Sequence, residues 1–249
     1  MTKITTKFRR FTDLSVSERM LFTIFLITIG LGYLFALAHT YYSHANRDGE
    51  PGLSVEDIKI AYYGKSEITR LGAGLNAGMA DNLEFPGQKD IIFKWIEDGA
   101  DETAFNDKIA PILNENCIAC HSVESGMGIP PMTSYEKIQE LTKMDTGVSI
   151  KSLVRVSHIH MFGIAFILFF VGRIFVLSEI PVTLKRVMVV VPFLAILLDI
   201  LSWYLTKFIP GFAYVVVLAG GVMGISLAAQ ILVSIYQMWF YAPHKRVEM

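Results

Sequence analysis

Both cysteines of this 249-residue chain lie in one short run, Cys-Ile-Ala-Cys-His, made by Cys117, Cys120 and His121. Thiols three positions apart can add to the two vinyl groups of a haem, and the adjacent imidazole can then reach the iron as its proximal ligand. The other chemistries of paired thiols fit the surroundings less well. A structural zinc site needs four ligands, and between residues 43 and 153 the one further histidine is His44. A thioredoxin-like dithiol belongs to a βαβ unit, and no convincing strand alternation flanks the motif. A wider disulfide framework is excluded, because no third cysteine exists. The expected cofactor is therefore one covalent haem c on Cys117 and Cys120, with His121 on the iron.

The elements that must carry this motif are largely apolar. Hydrophobic residues make up 53% of the chain and mean hydropathy is +0.45, which points to a membrane class. Four apolar runs are long enough to cross a bilayer: Met20 to Tyr42, Ile159 to Leu177, Val187 to Leu205 and Gly211 to Phe240. The expected division is an N-terminal segment (1–19), a first span (20–42), a polar domain (43–153), three further spans (154–240) and a tail (241–249). Lys3, Lys7, Arg9, Arg10 and Arg19 precede the first span, Arg173, Lys185 and Arg186 flank the second connection, and Lys245 and Arg246 follow the last span. The loop between spans three and four carries only Lys207. Basic residues stay on the cytoplasmic side, so this distribution places the polar domain outside. The first span resembles a signal peptide, with Ala36-Leu37-Ala38 as a cleavage-like site, but reads as a retained anchor.

Within 43–153 the expected elements are helical: Ser54 to Tyr63 with Ser54 as N-cap, Gln88 to Asp98, Thr103 to Asn116, and Tyr135 to Lys143. The fold class is all-α: about four transmembrane helices, with a small helical extracytoplasmic domain between the first two. Eighteen Asp and Glu face ten Lys and Arg in this stretch. That excess serves solubility, or a docking face for a basic redox partner. No nucleic-acid partner is expected.

The run FNDKIAPILNENCIACHS (Phe105 to Ser122) resembles the N-terminal helix and haem-attachment turn of class I-like bacterial cytochromes c. The resemblance is close over those residues and loose over the rest of 43–153. It implies a cytochrome c-like domain whose haem is attached outside the cytoplasmic membrane, here on the periplasmic side of a bacterial inner membrane. It also implies a sixth ligand, Met or His. In that family the ligand Met and a closing helix follow the motif. Here IIFKWIEDGA (Ile91 to Ala100) resembles the closing helix yet precedes it, which suggests a circularly permuted order with Met79 as distal ligand. Met127, Met132 and Met144, and His44, His158 or His160, are the alternatives.

A second polar group lies at one depth in the spans: His39, His158, His160 and Asp199. Ionisable side chains in a bilayer are costly and need partners. They could be interfacial caps, a quinone site beside the haem, or ligands of a non-covalent haem b pairing His39 with His158 or His160. His158 and His160, two positions apart, are about 200° apart on a helix, so one site can use only one of them. Gly220, Gly221 and Gly224 form a small-residue face on span four, suited to packing within the chain or against another subunit.

The functional expectation is an electron-transfer subunit of a larger membrane redox complex, with other membrane subunits and a periplasmic or membrane electron carrier as partners. A quinol-oxidising cytochrome is the alternative. A haem-based sensor is a third, disfavoured by the lack of an output domain.

Overall fold

The computed structural model describes residues 9–65, 67–127 and 129–241. Lys3, Lys7, Lys245 and Arg246 lie outside them. The chain divides into two compact units, one of residues 1–40, 150–205 and 212–249, the other of 41–149 with 206–211.

The first unit is built on four helices long and apolar enough to cross a membrane. They are α1 (Val16–His44), α8 (Ile150–Phe175), α9 (Val182–Thr206) and α10 (Ala213–Trp239). At 29 residues α1 is about 44 Å long. It, α8 and α9 start several residues before their apolar runs, because helices continue past the hydrocarbon where polar residues still satisfy their own backbone, whereas α10 stays within one or two residues of its run. The second span in particular begins at Ile150 rather than near 154 or 159.

Pro192 lies inside α9. It has no N–H, so the carbonyl four residues back, on Met188, loses its helical donor. In lipid such a group has no water to turn to. The side-chain Nε2 of Gln230, buried on α10, donates to this carbonyl at 2.7 Å. Gln230 belongs to a buried polar stripe on α10 with Ser226, Ser234 and Gln237, at helical spacing on one face. Gln237 Oε1 accepts the backbone N–H of Glu179 at 2.6 Å. The small-residue face is used within the chain at one place. A Cβ on Gly224 would lie 2.1 Å from the Tyr33 hydroxyl, whereas Cβ atoms at Gly220 and Gly221 would meet nothing within 4 Å.

The second unit contains α2 (Val55–Tyr63), α3 (Arg70–Asn76), a 3-10 turn (Met79–Asn82), α4 (Gly87–Glu97) and a continuous helical stretch. That stretch is α5 (Glu102–Ala104), a π-turn (Phe105–Ile109) and α6 (Ala110–Asn116). A short α7 (Tyr135–Gln139) follows. Ser54 and Asp57 close the expected capping box at the start of α2. Helix α7 ends four residues before the expected Lys143, because the chain turns there to run beside 68–71: Leu71 N–H donates to Leu141 O and Arg70 N–H to Lys143 O. Among the described residues there is an isolated β-bridge, Thr69 with Met144, and no named strand. Ile92, Trp95, Phe105, Ile109, Leu113 and Ile138 are buried in one core. The Trp95 and Phe105 rings, 5.9 Å apart, lock α4 against the π-turn.

The segments 62–64 and 145–147 cross at close quarters. Gly64 and Gly147 have φ of +92° and +70°, and a Cβ on either would fall within 2.5 Å of the other segment's backbone. The crossing presents the carbonyls of Tyr62, Thr146 and Val148 together, and Lys207 Nζ donates to all three at 3.2, 2.8 and 2.7 Å. The loop joining α9 to α10 is thereby part of the polar unit.

Gln230→Leu leaves the Met188 carbonyl unpaired in hydrocarbon and is expected to cost about 1–3 kcal/mol of stability. In a Pro192→Ala background the helix recovers its own donor and the loss shrinks. Unfolding in bicelles checks this, and equal losses in the two backgrounds would show that the pairing is not the cause.

Candidate functional site

Helix α6 ends at Cys117, whose N–H donates to Leu113 O. The chain then folds back at once: the N–H groups of Cys120 and His121 both donate to Cys117 O, at 3.1 and 2.8 Å. One tight turn thus presents Cys117, Cys120 and His121. Both cysteines are free; Cys117 is half-buried against the core and Cys120 is exposed.

His121 Nδ1 lies 2.8 Å from the carbonyl oxygen of Pro130. A carbonyl only accepts, so the proton is on Nδ1 and the lone pair on Nε2 is left for a metal. The same segment is pinned a second time, by Met132 N–H donating to His121 O at 2.8 Å. An imidazole fixed in tautomer and orientation by its far nitrogen is the arrangement a metal-ligating histidine needs.

The turn argues against the other thiol chemistries. Cysteines of dithiol oxidoreductases are activated by a lowered thiol pKa. Cys117 instead closes a helix C-terminus, where the helix dipole disfavours a thiolate. Burial first, and the neighbouring Cys120 second, push its pKa up. Among the described residues no group of three or more His, Cys, Asp or Glu side chains could hold a metal ion, so a protein-ligated zinc has no ligand set there. The residues fit a group that brings its own equatorial ligands and takes one imidazole and two thiols from the chain. Val123, Met127, Ile129, Met79 and Phe85 leave large apolar surfaces exposed.

The candidate sixth ligands are placed differently. Met132 belongs to the segment holding His121 Nδ1 and packs on the core. Met144 is more than half exposed and bridges to Thr69. Met127 is exposed in the loop before Pro130. Met79 opens the 3-10 turn and is more than half exposed. Its segment abuts α6: Asn116, next to Cys117, accepts the N–H of Glu84 at 3.0 Å, and Ala80, Leu83 and Cys117 pack on one core.

Asp199 and His160, both from the polar residues in the spans, meet one side chain, Trp203. Asp199, buried, accepts a hydrogen bond from Trp203 Nε1 at 3.1 Å. The His160 ring meets the Trp203 ring edge-on, with centroids 5.5 Å apart, and His160 Nδ1 donates to Val156 O. His158 turns elsewhere, against Phe162 at 5.3 Å. His39 lies on α1 near its end, and His44 ends that helix. Sequence reading missed Trp203, whose signal was its place four residues after Asp199, one turn along the same face. It also missed Ser157, whose hydroxyl lies 3.0 Å from that of Tyr204.

Four apolar helices define the class: this is a multi-pass membrane protein. Residues 128–246, just under half the chain, match the model of a family described as a transmembrane helical domain (Aq_1264_TM). The match takes in the second to fourth spans and begins after the Cys-x-x-Cys-His turn. No curated protein and no solved structure matches the chain.

With both thiols free, Cys120 is expected to alkylate several-fold faster than Cys117 at pH 8. A raised pKa lowers the thiolate fraction of Cys117 at that pH, and burial blocks access. Mass mapping of iodoacetamide adducts reads this directly; equal rates would contradict the placement of Cys117.

Proposed function

We propose that this chain is a membrane-bound monohaem cytochrome c that passes electrons as a subunit of a larger redox complex. The observation that carries the reading is the Cys117–Cys120–His121 turn with His121 Nδ1 committed to the Pro130 carbonyl. Cys117 and Cys120 would hold the haem through thioethers, and His121 Nε2 would ligate its iron. Bound there, haem supplies a one-electron Fe(III)/Fe(II) couple. The chain's own part is to orient the imidazole, strengthen it as a ligand through the Pro130 carbonyl, and cover the porphyrin with apolar side chains. Met79 is the distal ligand in this reading, supported by the latch between Glu84 and Asn116.

The polar unit stands on the periplasmic side of a bacterial inner membrane. Two supports are independent of one another: the basic residues at the other ends of the spans, and the thioether chemistry itself, which belongs outside the cytoplasm. Three spans beyond a single anchor favour contact with other membrane subunits. The acidic surface suits a basic electron carrier, through steering rather than tight binding.

A second reading rests on a different observation, the gathering of His160, Trp203 and Asp199. In it the chain oxidises a quinol in the bundle. The quinol gives up two electrons and two protons to become quinone; His160 and Asp199 take the protons, and the electrons leave one at a time to the covalent haem. A haem b held by His39 and one of His158 and His160 competes for the same side chains.

Mass spectrometry of the denatured chain is expected to show one haem in excess of the polypeptide, with colour surviving acid-acetone extraction. Both signs vanish in Cys117→Ser/Cys120→Ser; an apo mass in the native chain would end the proposal. Met79→Ala is expected to shift the Soret band and the potential, and no shift in either removes Met79 as ligand. For the second reading, a quinol should reduce the haem of the isolated protein, about tenfold or more slowly in Asp199→Asn. Lack of reduction in the native protein rejects it, and a b-type pyridine haemochrome band would assign the histidines to a second haem.

A further inference from the structure

A cavity of about 390 Å³ opens between the first two spans, within the helical unit. Its lining changes character along its length. Phe22, Phe25 and Phe170 form one end, where the Phe25 and Phe170 rings meet edge to face at 6.2 Å. Arg9 and Arg173 form the other. The order follows from the helices. Helix α1 starts at Val16, so Phe22 and then Phe25 lie progressively deeper. Helix α8 ends at Phe175, so Arg173 is at the mouth and Phe170 about one turn further in.

The charges at the mouth are unbalanced. Arg9 pairs with Glu18, and Arg10 pairs with Glu179 at 3.0 Å. Among the described residues Arg173 has no carboxylate partner. It is exposed at the end of the bundle that also carries Arg19, Lys185 and Arg186. A groove with a cationic mouth and an aromatic floor, at the edge of the hydrocarbon, is complementary to an amphiphile with an anionic head. Guanidinium groups bind phosphate through paired N–H donors, and basic pockets between transmembrane helices hold anionic lipid headgroups.

We propose that this groove is a binding site for an anionic phospholipid. Its phosphate sits at Arg173, with Arg9 beside it, and one acyl chain lies along Phe22, Phe25, Phe170 and Ile174. A neutral isoprenoid would fill the apolar part but leave Arg173 without a counter-charge, and a zwitterionic lipid would bring its phosphate together with an ammonium group that the neighbouring cations repel. The site is independent of the haem reading, since none of its residues belongs to the polar unit.

The test uses the full chain in nanodiscs of phosphatidylcholine alone or mixed with phosphatidylglycerol. Lipid retained after ejection into detergent is read by native mass spectrometry, and thermal stability is measured alongside. Phosphatidylglycerol is expected to be retained over phosphatidylcholine and to raise the melting temperature. Arg173→Gln is expected to reduce that retention about tenfold, the loss of one charge-assisted contact, with helix content unchanged. Phe170→Ala should weaken retention of both lipids. Equal retention of the two lipids, or full retention of phosphatidylglycerol by Arg173→Gln, overturns the proposal. Stabilisation by inorganic phosphate equal to that by phosphatidylglycerol overturns it too, because the groove would then be an anion site and not a lipid site.

Discussion

Hydrocarbon offers the main chain no hydrogen-bond partner, and that constraint governs the helical unit. A helix satisfies itself except where its own chemistry fails. It fails in α9 at Pro192, and the repair comes from another helix: Gln230 reaches the orphaned Met188 carbonyl. Other polar side chains in the spans also find local partners: His160 Nδ1 donates to Val156 O, and Trp239 Nε1 donates to the Thr23 hydroxyl at 2.8 Å.

The polar unit solves a different problem. Its core is small, so its short helices lean on chain crossings for definition. Gly64 and Gly147 let two segments approach closer than any side chain would permit, and the carbonyls gathered there meet one ammonium group. Lys207 is the lone basic residue in its loop, where charge distribution disfavours a cation. Its three acceptors explain its presence: it serves as a local cap. Burial pulls the Lys207 pKa down while Asp145 pulls it up. The Cys117–His121 turn hangs from the same small core through Cys117, which packs on the cluster formed by α4, the π-turn and α6.

The four spans and most polar-unit helices were legible because each has a strong local signal: a long apolar run, or a cap such as Ser54 with Asp57. Helix α3 was missed because Gly72 and Gly74 weaken its pattern; Thr69, whose hydroxyl accepts the Gly72 N–H, was the sign to read. The true end of α7 depends on pairing between 141–145 and 68–71, which no local pattern reports. At the site, the spacing of Cys117, Cys120 and His121 marked one turn, and the structure presents the three together there. The Pro130 contact that sets the His121 tautomer had no such mark, since any residue supplies a carbonyl. Likewise the separation of His158 from His160 followed from helical geometry, while the partner of His160 lay on another helix.

One consequence concerns biosynthesis. The polar unit takes residues 206–211 from beyond the second and third spans. Its last stabilising lysine therefore leaves the ribosome after two more helices have been made, several seconds behind Ser149 at ordinary rates of about 5–20 residues per second. Until then the Tyr62, Thr146 and Val148 carbonyls lack their common donor. Completion of the polar unit thus waits on the synthesis of two membrane helices.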